Sequence, residues 1–131
     1  PFESVEILQN KDKFRTFLSE NGFNVPWAFG FSSLEDALAD TDKFSYPLIV
    51  KPTDSAGSKG VTRVDKEEDL KEALEYAFKH SIKGNIIVEE FIEKQGCSSD
   101  SDSFSVNGVL QFVSFSAQRF DENAARVRTP F

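Results

Sequence analysis

Ten residues, Lys51 to Gly60, read KPTDSAGSKG and set two lysines around a run of small residues. Ser55, Ala56, Gly57, Ser58 and Gly60 would let backbone N–H groups approach an anion closely. Lys51 before the run and Lys59 within it supply charge for phosphate oxygens. The order G-x-x-x-x-G-K-[ST] is missing, so this is not a Walker loop, and it reads equally as an ordinary flexible hairpin loop. A second candidate is VEEFIEKQG, Val88 to Gly96. An apolar strand that ends in acids can present backbone groups beside a slot. Adenine needs one acceptor for its amino group and one donor for a ring nitrogen. Glu89 and Glu90 also read as a solvated strand end. Lys11 and Lys13, taken alone, are surface cations of a helix. His80 is a favourable charge near a helix C-terminus. Cys97 has no companion for metal or nucleophilic work, and no Ser/His/Asp set stands out.

The elements that must position these residues follow from periodicity and turn chemistry. Asn10 can cap a helix with Phe14, Phe17 and Leu18 inward and Gly22 as its stop. FNVPWAFGF reads as extended. Ser32 and Glu35 suggest a capping box for a short helix with Leu34, Ala37 and Leu38 inward. Tyr46-Pro47 marks a bend before the strand LIV, which runs into the glycine-rich loop and then the strand VTRV. Asp65 and Glu68 suggest another box, before a helix carrying Leu70, Ala73, Leu74, Ala77 and Phe78 at helical spacing. IIVEEFI reads as a buried strand, and Asn107-Gly108 as the turn of a hairpin. Hairpins with helices between them predict an α+β fold: an antiparallel sheet, helices on one face, and the glycine-rich loop between two strands. No G-x-G-x-x-G joins a strand to a helix, which argues against a Rossmann unit.

Composition narrows the function. A net charge of −7 argues against nucleic acid, whose binding needs a basic face to displace counterions. A nucleotide needs only a few local cations. The fourteen phenylalanines mostly fall at core-type spacings, which favours packing over base stacking. No apolar run is long enough for a membrane span, and PFESVEILQNK lacks the order of a secretory signal. A lone cysteine fits a reducing cytoplasm.

Three motifs in order carry a resemblance. "NKDKF…GFNVP" resembles the entry helix of the ATP-grasp family, "YPLIVKPTDSAGSKGVTRV" its strand, mobile glycine-rich loop and strand, and "IIVEEFIEKQG" its adenine-holding linker. The flavour is that of the carbamoyl phosphate synthase large chain and related carboxylate–amine ligases, and the match runs from about Asn10 to Phe120. The resemblance implies that Lys13 reaches the nucleotide phosphates, with Lys11 as its substitute if the register slips. It implies that Lys51 holds phosphates beside the adenine and that Ser55, Ala56, Gly57, Ser58, Lys59 and Gly60 close over them. Glu89 and Ile92 would read adenine through backbone carbonyl and N–H, with Glu90 between.

The resemblance also implies an activity: an ATP-dependent carboxylate–amine (or thiol) ligase that works through an acyl phosphate, with ATP, magnesium and a small carboxylate as its partners. Residues 1–131 would be one partial domain, with about 10–88 the first lobe and 89–131 the linker and the start of a second. The family's ribose-binding acid falls near Gly96 or Cys97, so that contact is unassigned. Its magnesium-holding acids lie further on, and Asp121-Glu122-Asn123 comes too early for that role. No catalytic residue or metal ligand is therefore expected here, and this part alone should be inactive. The alternative is a non-catalytic nucleotide-binding or protein-interaction module.

Overall fold

A computed structural model describes residues 2–93, 95–96 and 98–118. Cys97 and the Asp121-Glu122-Asn123 stretch lie outside the described residues. The chain divides into two compact units, Pro1–Ile92 and Glu93–Phe131.

In the first unit, α1 (Phe2–Gln9) and α2 (Lys11–Glu20) precede β1 (Ala28–Phe31) and α3 (Leu34–Ala39). There follow β2 (Leu48–Pro52), β3 (Thr62–Val64), α4 (Leu70–His80) and β4 (Ile86–Glu90). The four strands form one antiparallel sheet in the order β1-β4-β2-β3. Strand β4 is continuously apolar until its end because it is central and both its faces are covered, and Ile86, Ile87, Val88 and Glu89 are all buried.

Alternation along the strands sorts the side chains onto two faces. One carries Leu48, Val50, Val64, Ile86 and Val88 into a core completed by Ala37, Leu70, Ala73, Leu74 and Ala77 of α3 and α4. Trp27, Phe29, Phe31 and Phe44 extend that core. Trp27 stacks on Phe44 with centroids 6.3 Å apart, and Phe31 meets Phe44 edge-on at 6.0 Å. The other face carries Ala28, Gly30, Ile49, Lys51, Ile87 and Glu89, and α2 crosses it: the position of a side chain on Gly30 would lie 3.8 Å from Asp12 Cβ.

Local details depart from expectation in instructive ways. The box on α3 sits one residue later than the sequence suggests, because the Asp36 N–H donates to Ser33 Oγ and Ser33 Oγ–H donates to the Asp36 carboxylate. The box expected at Asp65 and Glu68 does not form. Asp65 takes the Arg63 guanidinium at 2.7 Å instead, and a 3-10 turn over Glu67–Asp69 leads into α4. Asn10 precedes α2, yet its amide donates back to Glu6 O rather than capping forward. α1 was not foreseen. Among the described residues half of the phenylalanines are not core residues: Phe2, Phe17, Phe23, Phe104, Phe112 and Phe115 are exposed.

The second unit contains β5 (Ser98–Val106) and β6 (Val109–Gln118), an antiparallel hairpin with an irregularity after Phe104. Asn107 and Gly108 take positive φ at its turn, as the sequence predicts.

Gly60 shows how closely the glycine-rich loop is built in at one end. Its φ is +73°, and an added Cβ would lie 2.7 Å from Pro52 Cγ and 2.8 Å from His80 Cβ. Gly57 has a similar φ of +67° but open space around it. Gly57→Ala should therefore lose about 1–2 kcal/mol from backbone strain alone, and Gly60→Ala about 2–5 kcal/mol, because overpacking adds to it. Urea unfolding of both variants measures the difference; equal losses would mean that the packing at Gly60 is slack.

Candidate functional site

α2 is amphipathic in an unusual sense, since its buried stripe includes cations. Lys11, Phe14, Arg15 and Leu18 follow i, i+3, i+4, i+7 spacing and are half-buried, while Lys13, Thr16 and Phe17 are exposed. The Lys11 ammonium donates to Ser55 O at 2.8 Å and, at 3.4 Å, to Thr53 O. Its backbone N–H also donates to Thr53 O, at 3.3 Å. Burial, and then the Lys51 ammonium, hold Lys11 below the ordinary lysine pKa, against the pull of Asp54 and Glu89. Lys13 lies two residues on, about 200° further round the helix. It points outward and pairs with Glu6 at 2.5 Å. The structure thus brings Lys11 to the glycine-rich loop and leaves Lys13 on the outer surface.

On the sheet face beneath α2, Arg63, Ile49, Glu89 and Ala28 are aligned across β3, β2, β4 and β1. Lys51 stands two residues along β2 from Ile49. The Glu89 carboxylate is 5% exposed at residue level. One of its oxygens takes the Lys51 ammonium, and the other accepts from Arg15 Nε at 3.2 Å. Three cations from two elements, Lys11, Arg15 and Lys51, therefore share a neighbourhood with a single buried acid.

The loop between β2 and β3 is fastened at both ends and free in the middle. At its start the Asp54 carboxylate accepts from Ser81 Oγ at 3.0 Å, Ile82 N at 3.1 Å and Lys83 N at 2.7 Å. Thr53 N donates to Asn85 O at 3.1 Å. Gly60 is wedged at the other end. Between them Ala56, Gly57, Ser58 and Lys59 are exposed, with Gly57 and Ser58 both at positive φ. Ser55 Oγ donates to Lys59 O at 2.9 Å and closes the loop on itself. A groove of about 540 Å³ opens beside it, lined by Asn10, Lys11, Asp54, Ser55, Ala56 and Lys83.

The sheet ends at Glu90, which still pairs with Leu48. Glu89 is paired on both sides, with Ala28 and with Ile49, so the strand ladders claim its backbone and its side chain is what faces the site. Glu90 N donates to Trp27 O and Phe91 N to Pro47 O, and Ile92 lies past both partners, exposed. Phe91 is held by the Arg63 guanidinium, 4.2 Å above its ring.

Arg15 and Asp54 were missed in the sequence. The 11-14-15-18 stripe could have revealed Arg15. Asp54 carries no local signal, because its partners lie 27 to 29 residues away. Among the described residues no group of three or more His, Cys, Asp or Glu could hold a metal ion. Asp54 and Glu89, the acids nearest the loop, are already bonded within the chain, so the described residues present no carboxylate set that fits magnesium. Among the same residues no helix is long and apolar enough to cross a membrane.

Comparison with known proteins finds relatives of the chain. Residues 22–114 match the family described as "D-ala D-ala ligase C-terminus". The carbamoyl phosphate synthase large chain of Thermotoga neapolitana is 32% identical over 92 residues, which cover 70% of this chain and 8% of that protein. Among solved structures, the D-alanine–D-alanine ligase of Helicobacter pylori superposes with a TM-score of 0.65 at 26% identity, over 84% of this chain and 32% of that one. The L-amino acid ligase of Bacillus licheniformis gives 0.64 at 30% identity, over 96% and 28%. The chain spans between 8% and 16% of the carbamoyl phosphate synthase sequences it matches.

The anchor at Asp54 has a pH signature. Burial pushes its carboxyl up, but the Lys83 and Ile82 N–H groups and the Ser81 hydroxyl outweigh this and leave it below the ordinary 3.8. A carboxyl depressed on folding stabilises above its unfolded pKa, and that stabilisation is lost as pH falls through the folded value. Asp54→Ala should therefore lose about 1.5–3 kcal/mol at pH 7. The gap from wild type should stay level down to about pH 4 and then close. Urea unfolding at pH 7, 5 and 3 checks this; a gap unchanged at pH 3 would mean that the charge of Asp54 is not what holds the turn.

Proposed function

This chain belongs to the ATP-grasp ligase family represented by the D-ala D-ala ligase C-terminal domain, and from that premise we propose that it is the nucleotide-binding part of an ATP-dependent carboxylate ligase. The observation that carries the reading is Lys11, whose ammonium bonds Ser55 O at the start of the glycine-rich loop and feels the charge of Lys51, itself held on the sheet face by Glu89. In this reading the ammonium groups of Lys51 and Lys11 neutralise phosphate oxygens. The exposed N–H groups of Ala56 to Lys59 fold down onto the same phosphates. Adenine lies against the end of β4, where the backbone past Glu89, from Glu90 to Ile92, offers an acceptor and a donor. Lys13 would contribute only if the entry helix turned on binding.

The chemistry proposed for the whole protein is transfer of the terminal phosphoryl group of ATP to a small carboxylate. An amine or thiol then attacks the resulting acyl phosphate. The part played by these residues is positioning and charge neutralisation, which is most of what such a transfer asks of a protein. Magnesium would supply further charge neutralisation at the phosphates through residues other than those described here. A cytoplasmic location belongs to the same proposal and rests on the lone Cys97.

Titration with ATP tests the assignment. A charge-assisted contact to phosphate contributes about 1.5–3 kcal/mol, so Lys51→Ala and Lys11→Ala should each weaken binding about ten- to a hundredfold. Lys13→Ala should change it less than about twofold, since exposed pairs contribute little. Calorimetry or fluorescence titration of the four proteins measures this. Loss at Lys13 with none at Lys11 would restore the other register, and four equal affinities would remove the lysines from the site.

A further inference from the structure

We infer that Arg15 is a positioning residue for nucleotide binding, which acts through Glu89 on Lys51. The inference rests on the nucleotide reading above and extends it to a residue that lies outside the glycine-rich loop and the strand end. Arg15 is one helical turn after Lys11 on the half-buried side of α2, so the helix that brings Lys11 to the loop brings Arg15 to the sheet. Its Nε donates to one Glu89 oxygen while Lys51 holds the other. Side-chain exposure rises outward through the trio, from 6% for Glu89 to 16% for Lys51 and 25% for Arg15.

The physical argument concerns what an arriving phosphate must do. A buried carboxylate with a single cation is a closed, neutral pair. Drawing the lysine away would leave an uncompensated buried charge, which is strongly unfavourable. With Arg15 on the second oxygen, Glu89 keeps a partner when the Lys51 ammonium turns to phosphate. The trio also carries a net positive charge instead of none. Arg15 thereby makes Lys51 available without touching the nucleotide itself, while Glu89 aims it. This differs from Lys11, whose ammonium is bonded to loop carbonyls and stands beside the loop directly.

The test compares ADP with adenosine, because only ADP has phosphates for Lys51 to hold. Arg15→Met keeps much of the apolar stem and removes the charge. It should weaken ADP binding about tenfold, roughly 1.4 kcal/mol, and adenosine binding less than about twofold. Arg15→Lys should recover most of the ADP affinity. In a Glu89→Gln background, where no buried anion is left to satisfy, Arg15→Met should change ADP affinity less than about threefold. Unfolding curves establish that each variant is folded; if Glu89→Gln is not, the ADP-to-adenosine ratio and the lysine rescue still decide. Equal loss for both ligands would make Arg15 merely structural. An undiminished effect in the Glu89→Gln background would mean that it contacts the phosphates or acts as a bare charge. Unchanged ADP affinity would remove it altogether. Each of these overturns the inference while wild-type ADP binding stands. A wild type that binds neither ligand overturns the nucleotide reading first, and this inference with it.

Discussion

Glu89 stands near the end of a central strand with its carboxylate almost out of water, and an ion in that position survives only if cations are brought to it. Much of the first unit can be understood from that requirement. β2 must pair with β4 in the register that sets Lys51 within reach, and α2 must cross the sheet at the height where Arg15 meets the other oxygen. Once α2 is placed so, Lys11 falls beside the loop, because it lies one turn earlier on the same side. The buried acid therefore fixes the helix against the sheet, and the helix fixes a second cation near the glycine-rich loop. A sheet with an apolar residue at position 89 would bury its second face more cheaply, but it would leave Lys51 and Arg15 without the acid that holds them.

The loop shows the same division between what is held and what is left free. Asp54 binds the turn after α4, and Gly60 fits between Pro52 and His80, so both ends are rigid parts of the first unit. The exposed residues between them carry small side chains or the flexible Lys59 stem, and two of them sit at positive φ. Segments with few buried contacts and unpaired backbone are the ones that order when a ligand supplies partners. Rigid ends with a free middle give the loop a fixed place to close upon.

The α+β class, the four strands of the first unit, α4 and the Asn107-Gly108 hairpin were legible because each has a local cause in periodicity or turn chemistry. Capping was less legible: Ser33 rather than Ser32 caps α3, and Asp65 prefers Arg63 to the helix, since a neighbouring side chain outcompeted a backbone partner. The loop, Lys51 and the strand end could be found from composition and order. Which of Lys11 and Lys13 faces the loop could not be read from motif spacing alone, yet the stripe Lys11, Phe14, Arg15, Leu18 shows it once α2 is known to pack on the sheet. Asp54 was beyond reach, because its role depends on a turn almost thirty residues away. Glu89 read either as a solvated strand end or as a backbone contact to adenine, and only the pairing of β4 on both sides reveals its side chain as the buried centre of a charge cluster.

Amide shift mapping by NMR during titration with ADP tests the central claim most directly, because it reads the loop, the strand end and α3 in one experiment. The account predicts that the amides of Ala56 to Lys59 and of Glu90 to Ile92 move together with one dissociation constant, while those of Glu35 and Asp36 on α3, which packs on the opposite face of the sheet, stay still. Saturable shifts confined to other parts of the chain, with the loop and the end of β4 unmoved, would contradict it.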